Sequence, residues 1–154
     1  MTERSITLER AGPDELTHVE RLLKANGLPS EDVQEKPGSF FLARAGADES
    51  GETRVVGAGG IEQYGSSGLL RSVVVEESIR GQGYGTVLCD RLEESARDDG
   101  IQTLYLLTTT AAAFFEGRGY EKISRSDAPS HIQETAEFSE LCPDSATCMR
   151  KQFE

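Results

Sequence analysis

A glycine-rich segment that directly follows an apolar strand constrains this chain more than any other feature. Residues 69–85 read LLRSVVVEESIRGQGYG, which predicts a strand over Leu69–Val75, a short acidic turn, and a helix that opens at the glycines 81, 83 and 85. Glycine has no Cβ, so a ligand can approach its backbone closely, and the N–H groups that open a helix attract anions. With Arg80 at its edge, this segment predicts an anion site suited to a pyrophosphate.

Two common phosphate-binding motifs do not account for this loop. The Walker loop requires a Gly-Lys pair, which the chain lacks, and the dinucleotide fingerprint G-x-G-x-x-G differs from the G-x-G-x-G spacing at 81–85. A glycine-rich turn without a ligand is the simpler alternative. However, the R-G-x-G-x-G pattern at 80–85, after a Val-Val-Val strand and before a helix, resembles the GCN5-related N-acetyltransferases (GNAT), in which it cradles the pyrophosphate of acetyl-coenzyme A (acetyl-CoA).

The resemblance implies acetyl-CoA as a co-substrate and assigns residues to it. A backbone N–H near Val74 or Val75 is expected to stabilise the oxyanion, and Val73 and Val75 are expected to pair with the pantetheine arm like an added strand. The side chains of these valines can equally be ordinary core residues, because acetyl-CoA would contact only their backbone. The residues expected to bind acetyl-CoA in this region are Val73, Val74, Val75, Arg80, Gly81, Gln82, Gly83, Tyr84, Gly85 and Thr86.

A second signature lies further along the chain. Residues 108–120 read T-x-x-A-x-x-F-F-x-x-x-G-Y and resemble the family pattern N-x-x-A-x-x-F-Y-x-x-x-G-F. Thr108 stands where the family usually has Asn, and Phe115 stands where a Tyr often protonates the departing thiolate. The resemblance therefore implies that Thr108 and Phe115 line the thiol end of the co-substrate, and it leaves the general acid to solvent or to another hydroxyl.

The order of predicted elements resembles the whole acetyltransferase domain of this family. Apolar runs and turn residues predict the order β-α-(α)-β-β-β-α-β-α-β-α-β, with a glycine-crowded third strand over 54–64, a turn over Gly65–Gly68, a helix over 129–140 and a closing strand over 147–153. We therefore predict an α/β (α+β) fold, the GNAT fold, with a mixed, mostly antiparallel sheet of about six to seven strands and helices on both faces. We expect a single domain over residues 1–154. The apolar stripe of the first predicted helix comprises Leu16, Val19, Leu22 and Leu23.

The composition of the chain limits its possible classes of partner and its cellular location. The chain has 154 residues, with 27 acidic against 16 basic side chains and a formal net charge of −11; this argues against nucleic acid or an anionic membrane as a partner. No apolar run reaches a membrane-spanning length, and the charged N-terminus is unlike a signal peptide. The cysteines 89, 142 and 148 and the two histidines show no metal-binding spacing, so we expect a cytoplasmic enzyme without a metal. The acidic excess fits either a halophile-like protein adapted to high salt or an ordinary acidic protein.

Acetyl transfer from a thioester to an amine requires a neutral amine, and two side chains are candidates to serve the acceptor. Glu62, near the end of the third predicted strand, is the candidate general base, acting directly or through water; a solvated strand-end carboxylate is the alternative. Arg71 lies within an apolar strand, where alternation would place it on the face of Val73 and Val75. A buried cation needs a partner, either a substrate carboxylate bound in bidentate geometry or an internal Asp or Glu. His131 is expected on the surface of a helix, and a place near the acceptor pocket is the alternative.

The C-terminal region resembles a narrower group. Residues 132–151 read I-x-x-T-x-E-F-S-x-L-C-P-x-S-A-x-C-M-x-K and, together with GGIEQYG and LLRSVVV, resemble the acetyltransferases of arsenic-resistance operons. That group is associated with acetylating the α-amine of toxic glutamate-like amino acids such as arsinothricin or phosphinothricin, so we expect a small-molecule amine as the acceptor. Two alternatives stay open: an acetyltransferase of peptide or protein N-termini, and a CoA-binding regulatory module without turnover. The resemblance is also compatible with a homodimer, although no sequence patch identifies an interface.

Overall fold

The computed structural model describes residues 6–27, 30, 33–35, 38–45, 54–76, 83–109, 111–135 and 146–153. Seven strands and four α-helices lie along these residues. The strands are β1 (Ile6–Arg10), β2 (Phe40–Ala45), β3 (Arg54–Tyr64), β4 (Ser67–Val75), β5 (Thr103–Thr108), β6 (Glu121–Ile123) and β7 (Thr147–Gln152). The α-helices are α1 (Pro13–Ala25), α2 (Tyr84–Asp98), α3 (Ala112–Glu116) and α4 (Ser130–Gln133), and short 3-10 turns cover Val33–Glu35 and Arg125–Asp127.

The strands form one mixed sheet in the order β1-β2-β3-β4-β5-β7-β6. The pairs β1–β2, β2–β3, β5–β7 and β6–β7 are antiparallel. β4 and β5 are parallel, and their pairing joins Ser67–Leu69 to Thr103–Tyr105. A seven-stranded, mixed and mostly antiparallel sheet with helices confirms the predicted fold class.

The chain divides into two compact units, each with an apolar core of its own. The first unit comprises Met1–Ile61 and Ser72–Ser95, and the second unit comprises Glu62–Arg71 and Ala96–Glu154. The single domain predicted over residues 1–154 stays a prediction.

The core of the first unit lies where α1 packs against β2. α1 begins at Pro13, whose ring fixes φ near the helical value and whose missing N–H is not needed at that position. The Glu15 carboxylate caps the helix start by accepting a 2.9 Å hydrogen bond from the Gly12 N–H. The predicted apolar stripe of α1 is buried and packs with Phe40 and Leu42 of β2. The prediction of this helix and of its inward face is therefore confirmed.

Two glycines of β3 allow the neighbouring strand and helix to pack directly against it. A Cβ on Gly57 would lie 2.3 Å from the carbonyl oxygen of Val74 on β4, and a Cβ on Gly59 would lie 2.6 Å from Leu92 Cδ1 on α2. Both distances are far shorter than an ordinary contact between non-bonded heavy atoms. Two of the glycines that crowd the third predicted strand, Gly57 and Gly59, are therefore required by the close packing of β4 and α2.

The second unit is built on the parallel pair β4–β5 and on the antiparallel strands β7 and β6. β3 enters β4 through a turn of only two residues, Gly65 and Ser66, with Gly65 at φ +65°. Gln63 Nε2 braces this turn by donating to the Gly65 and Asp99 carbonyls at 3.1 and 2.9 Å. The apolar core of this unit contains Leu69, Tyr105, Ala128, Ile132 and Cys148.

Burial of Cys148 raises the pKa of its thiol to about 11.

Some predicted features differ from the structure or lie outside the described residues. α4 covers only Ser130–Gln133, because the Thr135 hydroxyl donates to the Ile132 carbonyl at 2.7 Å and local bonds of this kind compete with helix continuation. The predicted helical residues 136–140 lie outside the described part of the chain, as does the predicted loop at 46–51. Among the described residues, no α-helix combines the length and apolar character needed to cross a bilayer, and no three His, Cys, Asp or Glu side chains are grouped to hold a metal ion.

Candidate active-site residues

The C-terminal half of β4 directs the backbone of alternate valines to opposite edges. The Glu76 N–H donates to the Val56 carbonyl on β3 at 2.8 Å, and in a strand the backbone groups of every second residue point the same way. The Val74 backbone therefore also points towards β3, and its side chain is buried in the core of the first unit. The backbone groups of Val73 and Val75 point to the other edge of β4.

Ser72 interrupts the regular geometry of β4. This buried residue has φ +58°, in the left-handed region that residues with a Cβ rarely adopt. Such a residue breaks the alternation of side chains along a strand, so the expectation that Arg71 shares a face with Val73 and Val75 loses its basis. The conformation costs about 1–3 kcal/mol and has no sequence signal, since serine is not a residue that favours positive φ.

The start of α2 has the local geometry expected of an anion site. Gly83 precedes the helix at φ +90°, a value that glycine adopts without strain. The first helical hydrogen bond runs from the Val87 N–H to the Gly83 carbonyl at 3.4 Å, and the first turn contains no acidic side chain. Tyr84 and Gly85 are half-buried and Thr86 is exposed. The predicted loop residues Arg80, Gly81 and Gln82 lie outside the described residues.

Arg71 and Glu62 form a buried ion pair in the second unit. Arg71 Nη1 donates to Glu62 Oε2 at 2.9 Å, and the exposed fractions of the two side chains are 0% and 3%. Arg71 thus has the internal carboxylate partner that was one of its two predicted alternatives. Glu62 is buried, so it is not a solvated strand-end carboxylate. Both roles assigned to these residues in acetyl transfer stay predictions.

Tyr64 also contacts the ion pair of Arg71 and Glu62, and the three side chains form one cluster. Tyr64 was not among the candidate residues predicted from the sequence. Its hydroxyl donates to Glu62 Oε1 at 2.5 Å, and its ring stacks on His131, with ring centroids 6.4 Å apart and planes 13° from parallel. His131 is exposed on α4, as predicted. The available signal was the spacing, because residues two apart on a strand lie on the same face.

The second signature forms a turn that leads into a short helix in the second unit. Thr108 Oγ1 accepts a hydrogen bond from the Ala111 N–H at 3.0 Å, just before α3 begins. An Asn side chain can accept a local backbone hydrogen bond of the same kind, so Thr108 supplies one structural property of the residue it replaces. Phe115 is buried and packs edge-to-face on Tyr120, with centroids 5.3 Å apart. The assignment of Thr108 and Phe115 to the thiol end of acetyl-CoA stays a prediction.

These features are a mixed sheet with a central strand, β4, and a left-handed Gly83 directly before the helix that follows it in the chain. The model of the acetyltransferase (GNAT) family matches residues 8–120, and the chain belongs to this family. Membership confirms the predicted superfamily and the predicted enzyme class, acyltransferases.

Solved acetyltransferases share the fold over nearly the whole chain. N-acetylglutamate synthase from Neisseria gonorrhoeae, complexed with coenzyme A and L-arginine, matches 99% of this chain and 34% of its own, with a TM-score of 0.77 and 16% identity. A Mycobacterium tuberculosis protein in complex with CoA and NLQ matches 96% of this chain and 99% of its own, with a TM-score of 0.77 and 22% identity. Tetrahymena GCN5 matches 97% and 96%, with a TM-score of 0.70 and 15% identity. At these identities the likeness shows the fold alone.

Curated relatives match a shorter part of the chain. The amino-acid acetyltransferase of Pseudomonas syringae pv. syringae is 42% identical over 64 residues, and that of Pseudomonas aeruginosa (strain LESB58) is 38% identical over 64 residues. Each match spans 42% of this chain and 15% of the relative's length. The arsenic-resistance subgroup, the cytoplasmic location and the homodimer stay predictions.

Proposed function

We propose that this protein transfers the acetyl group of acetyl-CoA to the amine of a small amino-acid-like acceptor. Membership of the acetyltransferase family supports the reaction, and the coenzyme A in the N-acetylglutamate synthase complex supports the co-substrate. The relatives named amino-acid acetyltransferases support the class of acceptor. The observation that carries the proposal is a left-handed Gly83 in front of a helix whose first turn has no acidic side chain, since this favours a diphosphate at the helix start.

The co-substrate would use the backbone of β4. The edge to which Val73 and Val75 point would receive the pantetheine arm as an added strand. The direction of the backbone favours Val75 over Val74 as the oxyanion donor, because the Val74 N–H points towards β3. The diphosphate would bind the loop at 80–83 and the first turn of α2, and Arg80 would add a positive charge.

The reaction takes two protons from the nitrogen and gives one to the thiolate. The neutral amine nitrogen attacks the thioester carbonyl carbon, an N–C bond forms, the C–S bond breaks to release the CoA thiolate, and the nitrogen then loses its second proton to solvent. Glu62 is the proposed base that takes the proton from the acceptor's ammonium group. The thiolate takes its proton from solvent or from another hydroxyl, since Phe115 offers none. Arg71 would recognise an acceptor carboxylate by sharing its guanidinium between that group and Glu62.

The finer proposal is a glutamate-like acceptor, which includes arsinothricin and phosphinothricin. It is tested by measuring thiol release from acetyl-CoA with glutamate, both toxins, uncharged amino acids and a short peptide. Highest turnover with the free glutamate-like amines supports the proposal, and preference for the peptide would instead support an N-terminal acetyltransferase. Tight CoA binding by calorimetry without turnover of any amine would refute catalysis. That result would support the regulatory module, which Phe115 in place of Tyr favours.

A further inference from the structure

Tyr64 has no role in the proposed reaction, but it donates a hydrogen bond to the candidate base, Glu62. The Tyr64 hydroxyl donates to Glu62 Oε1 at 2.5 Å, and Arg71 Nη1 donates to Glu62 Oε2 at 2.9 Å. Each oxygen of the carboxylate therefore has a donor. Because only 3% of the Glu62 side chain is exposed, these protein donors, rather than bulk water, set its orientation and stabilise its charge.

The surroundings of Tyr64 limit the positions that its hydroxyl can take. Tyr64 lies two residues after Glu62 on β3, so both side chains are on one face of the strand. Its ring packs against the apolar core of the second unit and also stacks on His131 of α4. The fully buried Ile132 anchors α4 in that core. The phenol is thus held by packing, and the hydrogen bond to Glu62 does not have to order it.

We propose that Tyr64 is a positioning residue for acetyl transfer, which holds Glu62 in the charged state and orientation that accept the amine proton. This inference rests on the proposed function, in which Glu62 is the base. A donor to the charged form of a carboxylate stabilises that form. Removing the Tyr64 hydroxyl should therefore move the acid limb of the pH–activity profile to higher pH.

Several titratable or charged groups face this cluster. Arg71 of β4 contacts the carboxylate directly, and His131 of α4 stacks on the Tyr64 ring. Tyr105 of β5 and Cys148 of β7 belong to the apolar core against which Tyr64 packs. His131 has the side chain that ordinarily titrates nearest neutral pH. Tyr64→Phe keeps the ring that stacks on His131, so this variant isolates the hydroxyl, and His131→Ala measures any part of the pH profile that belongs to the histidine.

The first experiment measures kcat/KM for the acceptor against pH in the wild type and in Tyr64→Phe. The acid limb should move up by about one to two pH units, which lowers kcat/KM about 10- to 100-fold at a pH below the limb, and activity should largely recover above it. Tyr120→Phe is the matched control, because it removes a phenol oxygen from a buried ring that packs on Phe115. The control should leave the acid limb in place.

A double-mutant cycle tests whether Tyr64 acts through Glu62. In a Glu62→Gln background no carboxylate is left to stabilise, so adding Tyr64→Phe should not move the pH profile further. An acid limb that does not move in Tyr64→Phe, an equal loss of activity at every pH, or effects that add in the double variant would each overturn the proposal.

A second readout does not depend on turnover. Carboxyl ¹³C resonances of labelled glutamate can be followed against pH, with the Glu62 signal identified by its loss in Glu62→Gln. That signal should differ between Tyr64→Phe and the wild type at the pH of the acetylation assay, because the variant removes a hydrogen-bond donor to the carboxylate. A wild type that acetylates no amine would refute the proposed function alone. An unchanged Glu62 signal would overturn the role of Tyr64 whether or not the wild type is active.

Discussion

Replacing Gly57 by alanine should damage both stability and acetyl transfer, because the added methyl group meets backbone. A Cβ on Gly57 would lie 2.3 Å from the Val74 carbonyl oxygen and 3.3 Å from the Val75 Cα. Gly59→Ala is the matched control. Its Cβ would lie 2.6 Å from Leu92 Cδ1, which is the end of a side chain that can rotate.

The size of the effect follows from these distances. An ordinary contact needs about 3.5 Å, so β4 must move by roughly 1 Å beside Val74 to accept the Gly57→Ala methyl group. Overpacking costs about 1–3 kcal/mol, and a rigid backbone contact should lie at the upper end of that range. Alanine also lowers the conformational entropy of the unfolded chain, which stabilises the folded state by about 0.4–1 kcal/mol. The net loss should be about 2 kcal/mol, which corresponds to roughly 4–8 °C in Tm for a chain of this size. Gly59→Ala should lose less than half as much.

Urea unfolding and steady-state kinetics measure the two consequences separately. A shift of about 1 Å in the strand proposed to bind the thioester should lower kcat/KM for acetyl-CoA by about 10²-fold at a temperature where the variant is folded. Gly59→Ala should retain most of the activity. Equal stability losses for Gly57→Ala and Gly59→Ala would refute the packing argument. Full activity in a destabilised Gly57→Ala would refute the proposed use of β4.

Two further predictions concern the buried pair and the glycine turn. Glu62→Gln or Arg71→Met alone should each cost about 3–5 kcal/mol of unfolding free energy, because the buried charge that remains loses its counter-ion. The double variant should cost much less than the sum, and additive losses in urea unfolding would contradict this. Gly83→Ala should cost about 1–2 kcal/mol, because its φ of +90° disfavours a Cβ, and should also weaken CoA binding in a calorimetric titration. Gly27→Ala, at φ +70°, controls for backbone strain, and equal CoA affinities of the two glycine variants would place the diphosphate elsewhere.

The features that the sequence predicted well are those with local signals. The third strand was predicted over 54–64, and β3 covers Arg54–Tyr64. The apolar stripe of α1 was predicted from helical periodicity, and all four of its residues are buried. Both predictions depend on spacings within one element, which fix the face that must be buried whatever the rest of the chain does.

The features that could not be predicted depend on neighbouring strands or on exceptional backbone angles. Glu62 and Arg71 were each identified as candidates, but not as partners of one another. Their contact depends on the register of the β3–β4 hairpin, which the turn length sets. The predicted turn over Gly65–Gly68 was two residues wider than the one that forms. The left-handed φ of Ser72 has no local signal at all, and it defeats any argument from strand alternation across that position.

The buried thiol of Cys148 has a practical consequence for measuring this chemistry. With a pKa of about 11, only about one thiol in a thousand is ionised at pH 8, and the thiolate is the form that reacts with disulfide reagents. Coenzyme A released into solution is therefore far more reactive than this side chain. A coloured disulfide reagent can follow product formation continuously, without this cysteine consuming dye or the enzyme being modified at that position.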